Sequence, residues 1–452
     1  MMATSSAMIG SGPAWAEGYT GAGSRIAIID TGLDTDHQSF DVRGYECSLR
    51  KNAERLGMSY EDYAESLGLL TKEEVAAKWS DLNFSSRYSK ASGTFFTDKV
   101  PFGANYVDHS VDITHENDDH GEHGSHVAGI ASANSYIAAG DGFAPALEAV
   151  KTQGVAPDAQ LIIMKVFGAN GGAYDSDYMV AIEDAIMLDA DAVNLSLGSA
   201  NAGPSTDPTY QYILDSLTES DTVVSMSAGN SNTWADNTKN GYLYSDGVNL
   251  DTVGHPGSLT NAFTVASADN DGATGAYLLI GGEQVFYNES SFGNAPISTI
   301  SGEQPFAYFD NTGVDGNGQP LFSDAVRGRI AVFNRGVSPF SQKMDAAAAA
   351  GAIGCIVVNN QPGTISMALE NATSNIPCIS VLQSVGDLLK SAAVYNGEYY
   401  EGTLTVGDGV CSVVYGSENY TMSSFSSMGV PGSLELKPEI TAPRRKHLFR
   451  QR

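Results

Sequence analysis

Short, unbroken apolar runs alternate along this chain with longer segments whose apolar residues recur every three or four positions. Arg25 to Asp30, Gln160 to Phe167, Ala192 to Leu197, Thr222 to Ser227 and Phe263 to Ala266 are runs of the first kind. Such runs, rich in Ile and Val and bounded by turn residues, predict buried strands. The segment from Gly124 through Val127, Ala128, Ile130 and Ala131, then Asp175 to Leu188 and Tyr210 to Leu217, have the spacing of amphipathic helices. Strands and helices in this alternation predict parallel β-α-β units, and so an α/β fold class.

Two stretches break the rhythm. Ser59 to Trp79 mixes Glu, Lys, Ala and Leu at helical spacing, and Thr71-x-x-Glu74 resembles a capping box, so residues 47 to 100 predict a mostly helical surface insertion. A strand-like segment, Val100 to Val107, then leads into an acidic, His-rich loop from Asp108 to Glu122. Near residue 275 the composition shifts to turn-rich text with its own unit: a strand at Arg329 to Phe333, an Ala-rich helix at Ser341 to Ala350, a strand at Ala352 to Val358. The expected organisation is a first domain over 1–279, an inserted α/β domain over 280–415, and a turn-rich return over 416–443. The basic residues 444–452 are expected to lie outside the fold.

Composition narrows the function classes. At 452 residues, 42% hydrophobic and 17% charged, the chain reads as globular and large enough for more than one domain. No apolar run approaches the roughly 18 residues of a membrane span. A net charge of −29 argues against a nucleic-acid partner. The last nine residues hold five cations and no acid; before them, nineteen cations face fifty-three acids, a net of −34. Four scattered cysteines without Cys-x-x-Cys predict buried free thiols. Met1 to Gly12 has neither a basic nor an apolar region, so no secretion signal is expected in this chain.

Peptide-bond hydrolysis by a serine needs a hydroxyl, a base, an anion that orients the base, and donors for the oxyanion. Asp30 ends the first apolar run, before Thr31-Gly32, and suits the orienting anion. His123 opens a helix and is followed by the small Gly124 and Ser125, which suits the base. Ser227-Ala228-Gly229-Asn230 follows a strand, and the Asn230 amide suits an oxyanion donor; alone, the segment would read as a loop cap.

In chain order, Asp30-Thr31-Gly32, His123-Gly124-Ser125-His126-Val127-Ala128-Gly129, Ser196-Leu197-Gly198 and Ser227-Ala228-Gly229-Asn230 resemble the successive signatures of the subtilisin-like (subtilase) serine proteases. The resemblance covers about residues 13 to 270. It implies a parallel-sheet catalytic domain with helices on both faces. It makes Asp30 and His123 members of an Asp-His-Ser triad and Asn230 the oxyanion donor. Ser196, Leu197 and Gly198 become the strand that pairs with the substrate backbone. It implies a protein or peptide substrate and an extracellular or cell-envelope setting. Gly328 to Gly336 and Ala349-Ala350-Gly351-Ala352 resemble a protease-associated domain, a layout similar to the cell-envelope proteinases of lactocepin and C5a-peptidase type. The resemblance allows a structural calcium ion, although no Asp-rich loop specifies one, and it implies no other cofactor.

One signature has no counterpart. Family members carry Gly-Thr-Ser-Met-Ala-x-Pro downstream of segments resembling Phe425-Ser426-Ser427-Met428-Gly429 and Lys437 to Pro443. Here Pro443 is followed by Arg444-Arg445-Lys446-His447. Ser427 lacks the Gly-Thr turn that exposes such a hydroxyl and matches the preceding segment, so it is not read as the nucleophile. The expectation is a truncated, inactive catalytic region, from a gene fragment or a frameshift near codon 444. A non-catalytic peptide- or protein-binding fragment is the alternative. His115, Asp118, Asp119, His120, His123 and His126 invite a metal reading. Gly121 interrupts any helix that would present His120 and His123 together, and His-Glu-x-x-His is absent, so a solvated acidic loop is preferred and no metal site is expected.

Overall fold

The computed structural model describes residues 2–115, 121–150, 152–199, 208–231, 252–270, 272–289, 295–336, 338–361, 365, 367, 369, 371–414, 420–430 and 435–443. Asp118, Asp119, His120 and the basic tail at 444–452 lie outside the described residues. The chain divides into two compact units, Met1–Gly272 with Val414–Arg452, and Ala273–Val413.

The first unit is built on a parallel sheet of seven strands: β1 (Arg25–Asp30), β2 (Phe102–Asn105), β3 (Gln160–Lys165), β4 (Ala192–Leu195), β5 (Val223–Ser227), β6 (Thr264–Ala268) and β7 (Ile440–Pro443). Their order across the sheet is β2-β3-β1-β4-β5-β6-β7. β1 explains why its sequence is solidly apolar. Ala27 and Ile29 pack with Tyr178, Ala181 and Ile182 of the helix Asp175–Met187 and with Ile213, Leu214 and Leu217 of the helix Pro208–Glu219. Ile28 faces the other way, onto Ala128 of the helix His123–Ser132. A strand covered on both faces has no polar side to alternate with.

β7 lies where the sequence reads only as turns. Among the described residues it is a four-residue edge strand, paired to β6 alone, and half of it is exposed, so no apolar run marks it. Its Pro443 is tolerated because an edge leaves one row of backbone groups unpaired. The insertion also differs from its expectation. Its helices run Val42–Leu56, Tyr60–Ser66 and Lys72–Lys78, the last opened by the Thr71/Glu74 capping box, so it begins earlier than residue 47. It is not only a surface feature, since Leu70, Val75, Leu82 and Phe84 are buried in the same core as β1.

In the second unit the strands Gly302–Phe309, Ile330–Asn334, Gly354–Val358 and Cys378–Val381 run parallel as the centre of a nine-stranded mixed sheet. The helix Phe340–Ala349 packs Met344 and Ala347 on one face, against Ala331 and Phe333. The helix Gln383–Ser391 packs Val385 and Leu389 on the other, against Ile330 and Val332. All four cysteines are free thiols, and Cys355 and Cys378 are buried as expected. Cys47 and Cys411 are only half-buried, which corrects the sequence reading. Cys47 lies off the buried stripe Tyr45, Leu49 and Ala53 of its helix. Among the described residues no helix is long and apolar enough to cross a membrane.

Candidate active site

Because all seven strands are parallel, their C-terminal ends share one edge of the sheet, where α/β folds gather chemistry. Asp30 closes β1, Ser196-Leu197-Gly198 follows β4, and Ala228-Gly229-Asn230 follows β5. Side chains alternate along a strand, so Asp30 points to the same face as Ile28, which is the face of the helix His123–Ser132. The first residue of that helix meets it: His123 Nδ1 lies 2.7 Å from Asp30 Oδ1. A carboxylate oxygen only accepts, so Nδ1 donates and, in the neutral ring, Nε2 keeps its lone pair.

Thr31 locks the two elements together. Its N–H donates to Asp30 Oδ1 (2.7 Å), while its Oγ1 accepts from Gly124 N–H (2.8 Å) and donates to the Gly121 carbonyl (3.1 Å). A Cβ on Gly124 would stand 2.3 Å from the Gly32 carbonyl oxygen, so only glycine lets the helix start this close to the Asp30 turn. Beneath lies Lys165, buried at the end of β3 and in register with Asp30; its Nζ donates to the Thr31 carbonyl at 2.7 Å. Sequence reasoning missed Lys165. Its signal was a lone cation in an otherwise apolar run, a residue that is rarely buried without a partner.

Asp30 is almost fully buried, whereas the His123 side chain is 48% exposed. The hydrogen bond His123 donates to Asp30 raises the His123 pKa above its usual 6.5, burial opposes the rise, and the charge of Asp30 adds to it. Protonated His123 therefore favours the fold. That contribution is complete below the unfolded pKa of about 6.5 and is lost as pH rises through the higher folded value. In Asp30→Asn the His123 pKa is expected to fall, as read by NMR titration of the imidazole ring; an unchanged pKa would show that the contact is not made in solution.

His123 and Thr31 open onto a cavity of about 370 Å³ whose other walls include Ser196–Ser199, Gly229–Ser231 and Gly254. The structure thus brings Asp30, His123, Asn230, Ser196, Leu197 and Gly198 to one place, Asp30 through its contact with His123. The two long walls are tied by Ser227, whose Oγ donates to the Leu197 carbonyl at 3.1 Å. Ser196 Oγ donates to Asn194 Oδ1 at 2.9 Å. Asn230 is exposed, and no described residue bonds its amide or His123 Nε2. Asp118, Asp119 and His120 of the metal reading lie outside the described residues, and among the described residues no group of three His, Cys, Asp or Glu could hold an ion. His115 Nε2 instead lies 2.8 Å from Ser125 Oγ, which also accepts from Asp34 N–H at 2.8 Å.

Comparison with known proteins identifies the family. The family model described as "Subtilase family" matches residues 21–446. The PII-type proteinase of Lacticaseibacillus paracasei is 30% identical over 448 residues, which is 94% of this chain and 21% of that protein. The C5a peptidase of Streptococcus pyogenes is 27% identical over 430 residues, 94% of this chain and 32% of that protein. The chain thus spans between a fifth and a third of the length of these relatives. Among solved structures, a subtilisin-like protease from Pseudoalteromonas sp. AS-11 is 18% identical, over 91% of this chain and 80% of its own, with a TM-score of 0.38. A family match over nearly the whole length establishes that this chain belongs to the subtilase family.

Proposed function

We propose that this chain carries the acid–base and oxyanion side of a serine endopeptidase centre that takes protein or peptide substrates at the cell envelope or outside the cell. The observation that carries the reading is the 2.7 Å contact of Asp30 and His123 at the mouth of a cavity bordered by Asn230. In the roles inherited from the family, a substrate strand pairs with Ser196–Gly198. Asn230 donates to the carbonyl oxygen as it becomes an oxyanion, and His123 moves the proton while Asp30 holds its ring. The second unit, Ala273–Val413, is read as a protease-associated domain that contacts substrate or a partner and takes no part in the chemistry.

The reading also includes an inactivity. These 452 residues contain no Gly-Thr-Ser turn, and no described hydroxyl lies against His123 Nε2, so the chain by itself does not form an acyl-enzyme. The same observation favours the second reading, a peptide-binding fragment without catalysis. Binding tests the site common to both. On titration with peptides of a casein digest, the His123 ring and Asn230 side-chain amide resonances are expected to shift together. Peptides that bind without moving either resonance, or that do not bind, would remove the assignment.

A further inference from the structure

Ser427 is a fully buried hydroxyl that belongs to no helix or strand. Its Oγ accepts from Ser231 N–H (3.0 Å) and donates to the Ser231 carbonyl (3.2 Å), and its own N–H donates to the Gly229 carbonyl (3.1 Å). Three bonds therefore grip the backbone on either side of Asn230. The approach is close. A Cβ on Gly229 would stand 3.0 Å from Ser427 Oγ, and Gly229 has φ of 104°, a conformation that side chains resist. The adjoining residues hold the next wall of the cavity. Met428 N–H donates to Thr252 Oγ1 (3.0 Å), Thr252 N–H to the Met428 carbonyl (2.8 Å), and Val253 N–H to the Gly429 carbonyl (2.9 Å).

This arrangement disposes of Ser427 as a nucleophile, since its proton is committed to Ser231 behind the wall. It also supplies what Asn230 lacks. The Asn230 amide is exposed and no described residue bonds it, so what holds it in place is the backbone that carries it. A donor works on an oxyanion only if it is already aimed when charge develops. We propose that Ser427 is a positioning residue: its hydroxyl fixes the Gly229–Ser231 backbone so that the Asn230 amide stays aimed at the oxyanion. The proposal rests on the reading of Asn230 as the oxyanion donor.

A phosphinic peptide, with Leu before a tetrahedral, anionic phosphinyl group in place of the scissile amide, probes the donor without needing a nucleophile. The same peptide with an ordinary amide is the control. Asn230→Ala is expected to weaken the phosphinic peptide by at least about tenfold, less than the roughly 10²–10³ in rate that an oxyanion donor is worth, because the probe only mimics the transition state. Ser427→Ala is expected to weaken it by about tenfold, and the double variant no more than Asn230→Ala alone, because residues that act through one another do not add. The amide peptide should change less than about twofold throughout. Should Ser427→Ala fail to fold, Ser427→Cys, with a weaker donor of similar shape, is expected to give a smaller but selective loss.

Equal weakening of both peptides by the Ser427 variants would mark a general structural role and overturn the proposal. Undiminished phosphinic binding in those variants would overturn it too. If Asn230→Ala itself leaves phosphinic binding unchanged, the assignment of Asn230 fails, and the proposal falls with it by a separate route.

Discussion

Incubated with a fluorophosphonate probe, the 452-residue chain is expected to stay unlabelled, and its turnover of casein to stay at background. The base of a serine-protease centre acts only through the hydroxyl it deprotonates, and His123 Nε2 is hydrogen-bonded to none among the described residues. Three nearby hydroxyls donate elsewhere: Ser196 to Asn194, Ser227 to the Leu197 carbonyl, Ser427 to the Ser231 carbonyl. In subtilisin itself, loss of the nucleophile costs about 10⁶-fold in kcat. What remains, about 10³–10⁴ over water, comes from binding and the oxyanion hole and is lost in the noise of a protein-digestion assay. A covalent adduct on any serine, mapped by mass spectrometry and abolished by His123→Ala, would overturn the inactive reading.

How far the sequence could be read follows from what each element asks of its residues. β1 was legible because burial on both faces forces an unbroken apolar run, and that run ends on an acid. The pairing of Asp30 with His123 was legible through the Asp30-Thr31-Gly32 and His123-to-Gly129 motifs; the fold supplies the reason, since a period of two puts Asp30 on the face of Ile28, where the helix of His123 packs. β7 was not legible, since an edge strand of four residues, half exposed, leaves no periodic trace. Nor were the supports of the site. Thr31, Lys165 and Ser427 act through hydrogen bonds to backbone atoms 93, 134 and 196 residues away, and side-chain identity does not announce such partners. Thr31 and Ser427 stand inside segments that carry the family resemblance and Lys165 outside them, but what each of the three holds in place is seen only when the chain is folded.

Asp184 is such a support, and its replacement is expected to have the largest effect on stability. It lies on the helix Asp175–Met187 with no exposed surface. Its carboxylate accepts from Asn83 N–H (2.6 Å), Phe84 N–H (2.9 Å) and Tyr106 Oη (2.9 Å). Burial pushes its pKa up, and these bonds oppose the shift. The insertion is thereby pinned where Phe84 packs against Tyr106, ring centroids 4.9 Å apart. Asp184→Ala leaves three donors without a partner beside a small void. At about 1–3 kcal/mol for each orphaned group, with some relaxation, the loss is about 3–5 kcal/mol. That corresponds to a melting point lower by about 10 °C for a domain of this size. Calorimetry on the purified variant measures it, and a shift under about 2 °C would show that Asp184 does not anchor the insertion. The damage should also be confined. Asp184 serves the face of Ala27 and Ile29, while His123 sits on the face of Ile28. Below its melting point the variant should keep the raised His123 pKa of the parent chain; a changed value would mean that the two faces of the sheet are coupled through β1.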